Sequence, residues 1–251
     1  MKPLSAEDVA ALNRQLEGGT PQDVLAWGLE RYHPAIALAS SFGAEDMVLI
    51  DMLSRINPAS RVFTLDTLRL HTETYQVVDD TRRRYNTDLA VYYPDMEAID
   101  QMTRERGYNC FYASVEDRKR CCGIRKVEPL ERALGGLAAW ITGLRRDQAP
   151  TRTGVDLVEI DEVHHGMIKL NPLAAWTNDD VWAYIRDHDV PYNQLHDQGF
   201  PSIGCAPCTR PVRPDEDPRA GRWWWESDPN ARECGIHVVY DTNGMPRIER
   251  G

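Results

Sequence analysis

The chain has 251 residues, enough for one large α/β domain with a real core or for two small ones. It is 42% hydrophobic and 27% charged, and no apolar run nears the roughly 20 residues of a membrane span, so a globular, membrane-free protein is expected. A net charge of −10 argues against a general nucleic-acid binder, although local arginine clusters can still attract a small anion at short range. The charged start, Met1 to Asp8, has no apolar signal core, and the cytoplasm is the expected location.

Ser5 can cap a first helix, and Thr20 before Pro21 marks the start of a second. Ala35 to Ala39 is a short apolar run suited to a buried parallel strand. Ser40-Ser41-Phe42-Gly43 breaks it, and helical periodicity follows from Ala44 to Ile56. The alternation repeats, with strands over 61–65 and 89–93 and helices over 72–85 and 96–106. A helix over 120–134 and an apolar strand over 137–143 complete it. This pattern implies an α/β fold, a parallel sheet with helices on both faces and ligands at the carboxyl ends of the strands. Leu144 to Thr153 reads as an Arg-rich loop, 155–160 and 167–170 as a strand pair, and 177–188 as a helix capped by Thr177. From Val190 onward Pro, Gly, Arg and Cys dominate. The division expected is an α/β domain with N-terminal helices over 1–189 and a C-terminal functional extension over 190–251.

Ser40-Ser41-Phe42-Gly43-Ala44-Glu45-Asp46 lies between a strand and a helix, where a small-residue turn can aim backbone N–H groups at an anion. It reads equally well as a plain connection, and it lacks the Lys of a Walker loop, so simple ATPase chemistry is not indicated. Six cysteines in a chain of this class point to metal ligation or redox chemistry rather than disulfides. Two close pairs, Cys121-Cys122 and Cys205-Ala206-Pro207-Cys208, suit a tetrahedral zinc or a 4Fe–4S cluster. The adjacency of the first pair favours iron–sulfur, because zinc knuckles normally place a spacer between ligands. Solitary Cys110 reads as core. In Glu233-Cys234-Gly235-Ile236-His237, Cys234 is a candidate nucleophile, and His237 could favour its thiolate or contact an anion; a short strand end with an incidental Cys is the alternative. Arg145, Arg146 and Arg152 form one basic set, and Arg219 and Arg222, before Trp223-Trp224-Trp225, form another. Such forks bind phosphate or sulfate, or else remain solvated. The tryptophans read as core or interface anchors, and His164-His165 as a solvated hairpin.

Together these stretches resemble one family, the assimilatory, iron–sulfur type adenosine 5′-phosphosulfate reductases, kin of the 3′-phosphoadenosine 5′-phosphosulfate reductases. Further pieces of the likeness are Leu65-Asp66-Thr67, Cys121-Cys122-Gly123-Ile124-Arg125-Lys126, Thr142-Gly143-Leu144-Arg145-Arg146-Asp147-Gln148 and Arg219-Ala220-Gly221-Arg222-Trp223, all in family order. The resemblance implies an adenine nucleotide α-hydrolase-like fold, with Ser40, Ser41 and Gly43 in a modified pyrophosphate loop. It implies a 4Fe–4S cluster on Cys121, Cys122, Cys205 and Cys208, and Cys234 as the catalytic nucleophile. Lys126, Arg152, Arg219, Arg222 and His237 become phosphosulfate contacts, and Leu65 and Gly143 backbone contacts to adenosine. The implied reaction is reduction of adenosine 5′-phosphosulfate to sulfite and AMP through a cysteine thiosulfonate, in sulfate assimilation toward cysteine. The thiol donor is thioredoxin or a glutaredoxin-like protein, and assembly into a homo-oligomer is left open. Rival readings are a reductase for the 3′-phosphorylated substrate, a zinc-containing ATP pyrophosphatase or sulfurylase, and an iron–sulfur sensor. One departure is Leu68, where the family carries Gly; leucine does not take positive φ cheaply, so an altered backbone is expected there.

Overall fold

The computed structural model describes residues 3–148 and 152–227, together with two short paired strands at 239–240 and 246–247. Its main sheet is built from β1 (Ile36–Ala39), β2 (Arg61–Leu65), β3 (Asp88–Tyr92), β4 (Ala139–Ile141), β5 (Val158–Asp161) and β6 (Met167–Leu170). The order is β3-β2-β1-β4-β6-β5, and every pairing is parallel except β5 with β6. The strands therefore run outward from β1 in one direction through β2 and β3 and in the other through β4. That reversal leaves a crevice at the carboxyl ends of β1 and β4, the usual ligand position of an open α/β sheet.

Period-2 alternation sorts the strand side chains onto two faces. Ile36 and Leu38 of β1, Val62 of β2, and Ala139 and Ile141 of β4 join the larger core. Their neighbours Ala37, Phe63 and Trp140 pack on the other face against Leu130, Ala133 and Leu134. The larger core is covered by α1 (Ala6–Leu16), α2 (Pro21–Tyr32), α3 (Ala44–Ile56) and α8 (Asn178–Asp187). Ser5, Thr20 and Thr177 cap three of these as expected, each accepting the amide N–H three residues on and closing a reciprocal capping box with an Asp. Among the described residues no helix is long and apolar enough to cross a membrane.

The expected single helix over 120–134 is instead three pieces. α6 (Val115–Cys122) starts early, at the Ser114 cap, and a π turn (Gly123–Val127) leads into α7 (Glu128–Leu134). Pro129 has no amide N–H to give a continuous helix, but it is tolerated at the start of a new one. The wide turn holds Arg125 and Lys126, directly after Cys121 and Cys122. The remaining helices are α4 (Thr72–Tyr85) and α5 (Met96–Arg106).

α3 is buried along most of its length, and within it Asp51 is only 1% exposed. Its carboxylate accepts from Arg55 Nε at 2.7 Å, Tyr184 Oη at 2.8 Å and Tyr85 Oη at 3.1 Å, which ties α3 to α4 and α8. Burial opposes its ionisation, but these hydrogen bonds, led by Arg55, outweigh it and hold the carboxyl below the usual 3.8. The contribution is therefore complete above that value and fades as pH falls through the folded-state pKa. Asp51→Asn should lower stability at neutral pH by about 1.5–3 kcal/mol, as expected for loss of a charge-assisted hydrogen bond. Chemical denaturation checks it, and the deficit should shrink toward the acid limit.

Candidate active site

A cavity of about 880 Å³ opens at the carboxyl ends of β1, β2 and β4. Ser40, Ser41, Gly43, Leu65, Lys126, Gly143, Arg152, Arg219 and Arg222 all line it, so the structure brings together every expected substrate contact except His237. His237 and Cys234 lie outside the described residues.

The turn after β1 departs from a phosphate-cradling loop. The Ser41 amide N–H and hydroxyl both donate to Asp46 Oδ2, at 2.6 and 2.8 Å, and the Gly43 backbone adds a further hydrogen bond. The Phe42 N–H donates to Ser40 Oγ at 3.1 Å, with Phe42 held in the left-handed region. The Ser41 and Phe42 donors are thus satisfied within the turn itself. Burial pushes the Asp46 carboxyl up to about 6 despite the Ser41 hydrogen bonds that favour its ionised form. Gly143, after β4, closes on the same group, since a Cβ there would lie 2.6 Å from Asp46 Oδ1 and 3.0 Å from Glu45 Cβ.

The turn after β2 joins the nucleotide-sized cavity to the cysteines. Thr67 is fully buried; its carbonyl accepts from Arg125 Nη1 at 2.7 Å, and its hydroxyl from Cys205 Sγ at 3.3 Å. The Ala206 N–H donates to the Arg69 carbonyl at 2.8 Å, seating the 205–208 turn on this loop. Leu68 does take φ +58°, so the altered backbone expected there is not found. Hydrogen bonds from the Leu68 N–H to Asp66 Oδ1 and from the Arg69 N–H to Thr67 Oγ1 hold the turn, and the Leu68 side chain lies partly in solvent.

Cys121, Cys122, Cys205 and Cys208 line one narrow pocket with Phe111, Pro207, Arg69, Arg118, Arg125 and Lys126. Among the described residues no three His, Cys, Asp or Glu side chains close on a single metal-ion position. The four thiols are spread around the pocket wall. Burial, and then the neighbouring Cys205, push the Cys208 thiol up to about 12, and burial raises Cys121 as well. Metal ligation is what converts such buried thiols to thiolates. The donor set fits a cubane cluster, whose four thiolates leave it net anionic, and the surrounding cations match that charge. Cys110 packs in the adjoining apolar cluster.

The basic residues divide. Arg145 is buried and paired with Glu45, the Arg146 Nε donates to the Val155 carbonyl, and Arg152, which bonds Gln148, lines the cavity together with Arg145. Arg118 is buried in a two-bond pair with Glu226 at 2.8 and 3.0 Å. The guanidinium groups of Arg118 and Arg222 lie 4.8 and 4.7 Å from the buried Trp223 ring, at cation–π distance. Arg222 also donates to Ser202 Oγ and the Ile203 carbonyl. His164 is not solvated: it is buried beside Trp140, with Nδ1 2.9 Å from Asp161 Oδ2. The sequence reading missed Thr67, Arg118 and Arg125, which build the cysteine pocket; Thr67 and Arg125 sit inside quoted motifs, and Arg118 gives no local signal.

A switch-point crevice with a basic wall defines a nucleotide-binding α/β protein. The phosphoadenosine phosphosulfate reductase domain matches residues 35–211, and the chain belongs to that family. It is 47% identical over 249 residues to an adenosine 5′-phosphosulfate reductase from Burkholderia cepacia, covering 99% of each chain. The crystal structure of a phosphoadenylyl-sulfate reductase from Candida auris, a phosphate complex, superposes with a TM-score of 0.73 at 32% identity, over 83% of this chain and 99% of that one. An FMN adenylyltransferase from Candida glabrata has the same fold, with a TM-score of 0.55 at 14% identity, over 96% of this chain and 83% of that one.

Two outcomes follow from the Asp46 seat. Gly143→Ala should displace the β4 loop and reduce kcat/KM by about tenfold or more, since small misplacements at a binding site are costly. The Asp46 pKa lies above the ordinary 3.8, so the native protein takes up a proton between the two values, and ionising Asp46 costs stability that grows as pH rises through 6. Relative to wild type, Asp46→Asn should therefore gain stability between about pH 4.5 and pH 7.5. A pH-independent difference in denaturation midpoints would contradict the raised pKa.

Proposed function

We propose that the chain reduces adenosine 5′-phosphosulfate to sulfite and AMP in sulfate assimilation, with Cys234 as nucleophile. The observation that carries the reading is the single cavity lined together by the β1, β2 and β4 loops and by Lys126, Arg152, Arg219 and Arg222. An adenosine seated on the Leu65 and Gly143 backbone presents its phosphosulfate to those cations, with His237 as a further contact. Their charge stabilises the anion and the departing AMP, so catalysis is largely positioning and electrostatics.

The Cys234 thiolate attacks sulfur, the sulfur–oxygen bond to the phosphate breaks, and AMP leaves with the bridging oxygen. Cys234 then carries a thiosulfonate. A thiol of thioredoxin, or of a glutaredoxin-like donor, attacks Cys234 Sγ and releases sulfite. The donor's second thiol resolves the mixed disulfide, so sulfur gains the two electrons that the dithiol loses. Cys121, Cys122, Cys205 and Cys208 would hold a 4Fe–4S cluster, which supplies structure and charge beside Lys126. The reducing donor and the absence of disulfides among the described cysteines suit a cytoplasmic location.

The rival ATP pyrophosphatase reading is disfavoured by the β1 turn, whose donors are committed to Asp46 rather than to a diphosphate. Protein purified without air should contain about four irons per chain, and stoichiometric zinc without iron would refute the cluster. Treatment with substrate and no reductant should add SO₃, about 80 Da, to Cys234. Cys234→Ser should lose turnover and keep its iron; near-normal sulfite release by this variant would mean another nucleophile.

A further inference from the structure

Gln148 and Arg152, in the segment after β4, both line the cavity. Glu45, in the first turn of α3, is the fixed point. Its Oε1 accepts from Arg145 Nε at 2.9 Å, Arg145 Nη2 at 2.8 Å and Gln148 Nε2 at 2.9 Å. Gln148 Nε2 also donates to the Gly143 carbonyl at 3.2 Å. With the amide nitrogen turned to these acceptors, the amide oxygen must face the other way. There it accepts from the Arg145 N–H at 3.2 Å and from Arg152 Nη1 at 2.5 Å. The amide has one polarity that satisfies all its partners, and the Glu45 carboxylate selects it.

We propose that Glu45 is a positioning residue for the anionic end of the substrate, orienting the Gln148 amide so that its oxygen holds Arg152 at the cavity wall. This rests on the reading of Arg152 as a phosphosulfate contact. The charges support it. A carboxylate beside an anion site would repel the ligand, but the buried Arg145 guanidinium covers the same Glu45 oxygen. The link onward to Arg152 runs through a neutral amide, which adds no negative charge to the cavity wall. A carboxylate at position 148 would instead place a negative charge beside the bound anion.

The test is equilibrium binding of adenosine 5′-phosphosulfate to the cluster-loaded, full-length chain in a Cys234→Ser background, where bond cleavage is blocked. Gln148→Met keeps the Glu45–Arg145 pair and removes the relay. It should raise Kd about tenfold, the worth of one charge-assisted hydrogen bond, with an unchanged melting midpoint. In an Arg152→Ala background the same substitution should add less than about twofold, because coupled residues are not additive. Gln148→Glu should also weaken binding, although it holds Arg152 more strongly. Glu45→Gln should follow Gln148→Met, provided its melting midpoint shows it is folded. Equal losses from Gln148→Met with and without Arg152, or tighter binding by Gln148→Glu, would overturn the relay alone. Wild-type Kd in Arg152→Ala would overturn the relay together with the assignment of Arg152. No binding by the Cys234→Ser parent would reject the functional reading and, with it, the relay as a device of that site.

Discussion

The open edge of the sheet is organised around a carboxylate. Asp46 is buried at the start of α3, and the turn after β1 folds back to satisfy it. A buried charge is tolerated only with hydrogen-bond partners, so the Ser41 donors cannot be released without leaving Asp46 unpaired. The consequence reaches across the crevice to Gly143, where no side chain would fit against Asp46. Lys126, Arg152, Arg219 and Arg222 line the same crevice.

The β2 turn is the second constraint, because two sites are built on it. Thr67 takes the Arg125 guanidinium on its carbonyl and Cys205 on its hydroxyl, and Arg69 receives the Ala206 amide. One short loop thereby brings together cysteines more than eighty residues apart in sequence. Lys126, in the π turn after Cys121-Cys122, lines both the cysteine pocket and the large cavity. On the far side, Arg118, Glu226 and Trp223 lock the segment that precedes the Cys234 motif. A buried ion pair of this kind contributes little net stability, but it is costly to break and so fixes geometry.

The alternating core was legible because it depends on local pattern. Strand β1 is a short apolar run, and three helix starts carry Ser or Thr with an Asp three residues later. The edge strand and the Cys pairs were legible for the same reason. What local pattern could not supply was the partner across space. His164 looked solvated beside another His, yet it packs on Trp140 and Asp161. Arg145 and Arg152 look alike in sequence and both line the cavity, and only the pairing with Glu45, a hundred residues away, shows Arg145 to be structural. Gly123 and Pro129 interrupt the 120–134 helix against an otherwise helical periodicity. Leu68 shows the reverse case: hydrogen bonds from the Leu68 and Arg69 N–H groups to the Asp66 and Thr67 side chains hold a backbone that leucine alone would avoid.

The chemistry proposed for this crevice is most directly tested by supplying the protein, anaerobically and with thioredoxin, with adenosine 5′-phosphosulfate, its 3′-phosphorylated form and ATP in parallel, and measuring sulfite and pyrophosphate. The proposed reaction predicts sulfite and AMP in equal amounts from adenosine 5′-phosphosulfate, a lower kcat/KM for the 3′-phosphorylated form, as the four paired cysteines imply by resemblance, and no pyrophosphate from ATP. Pyrophosphate release from ATP, or sulfite from the 3′-phosphorylated substrate alone, would contradict it.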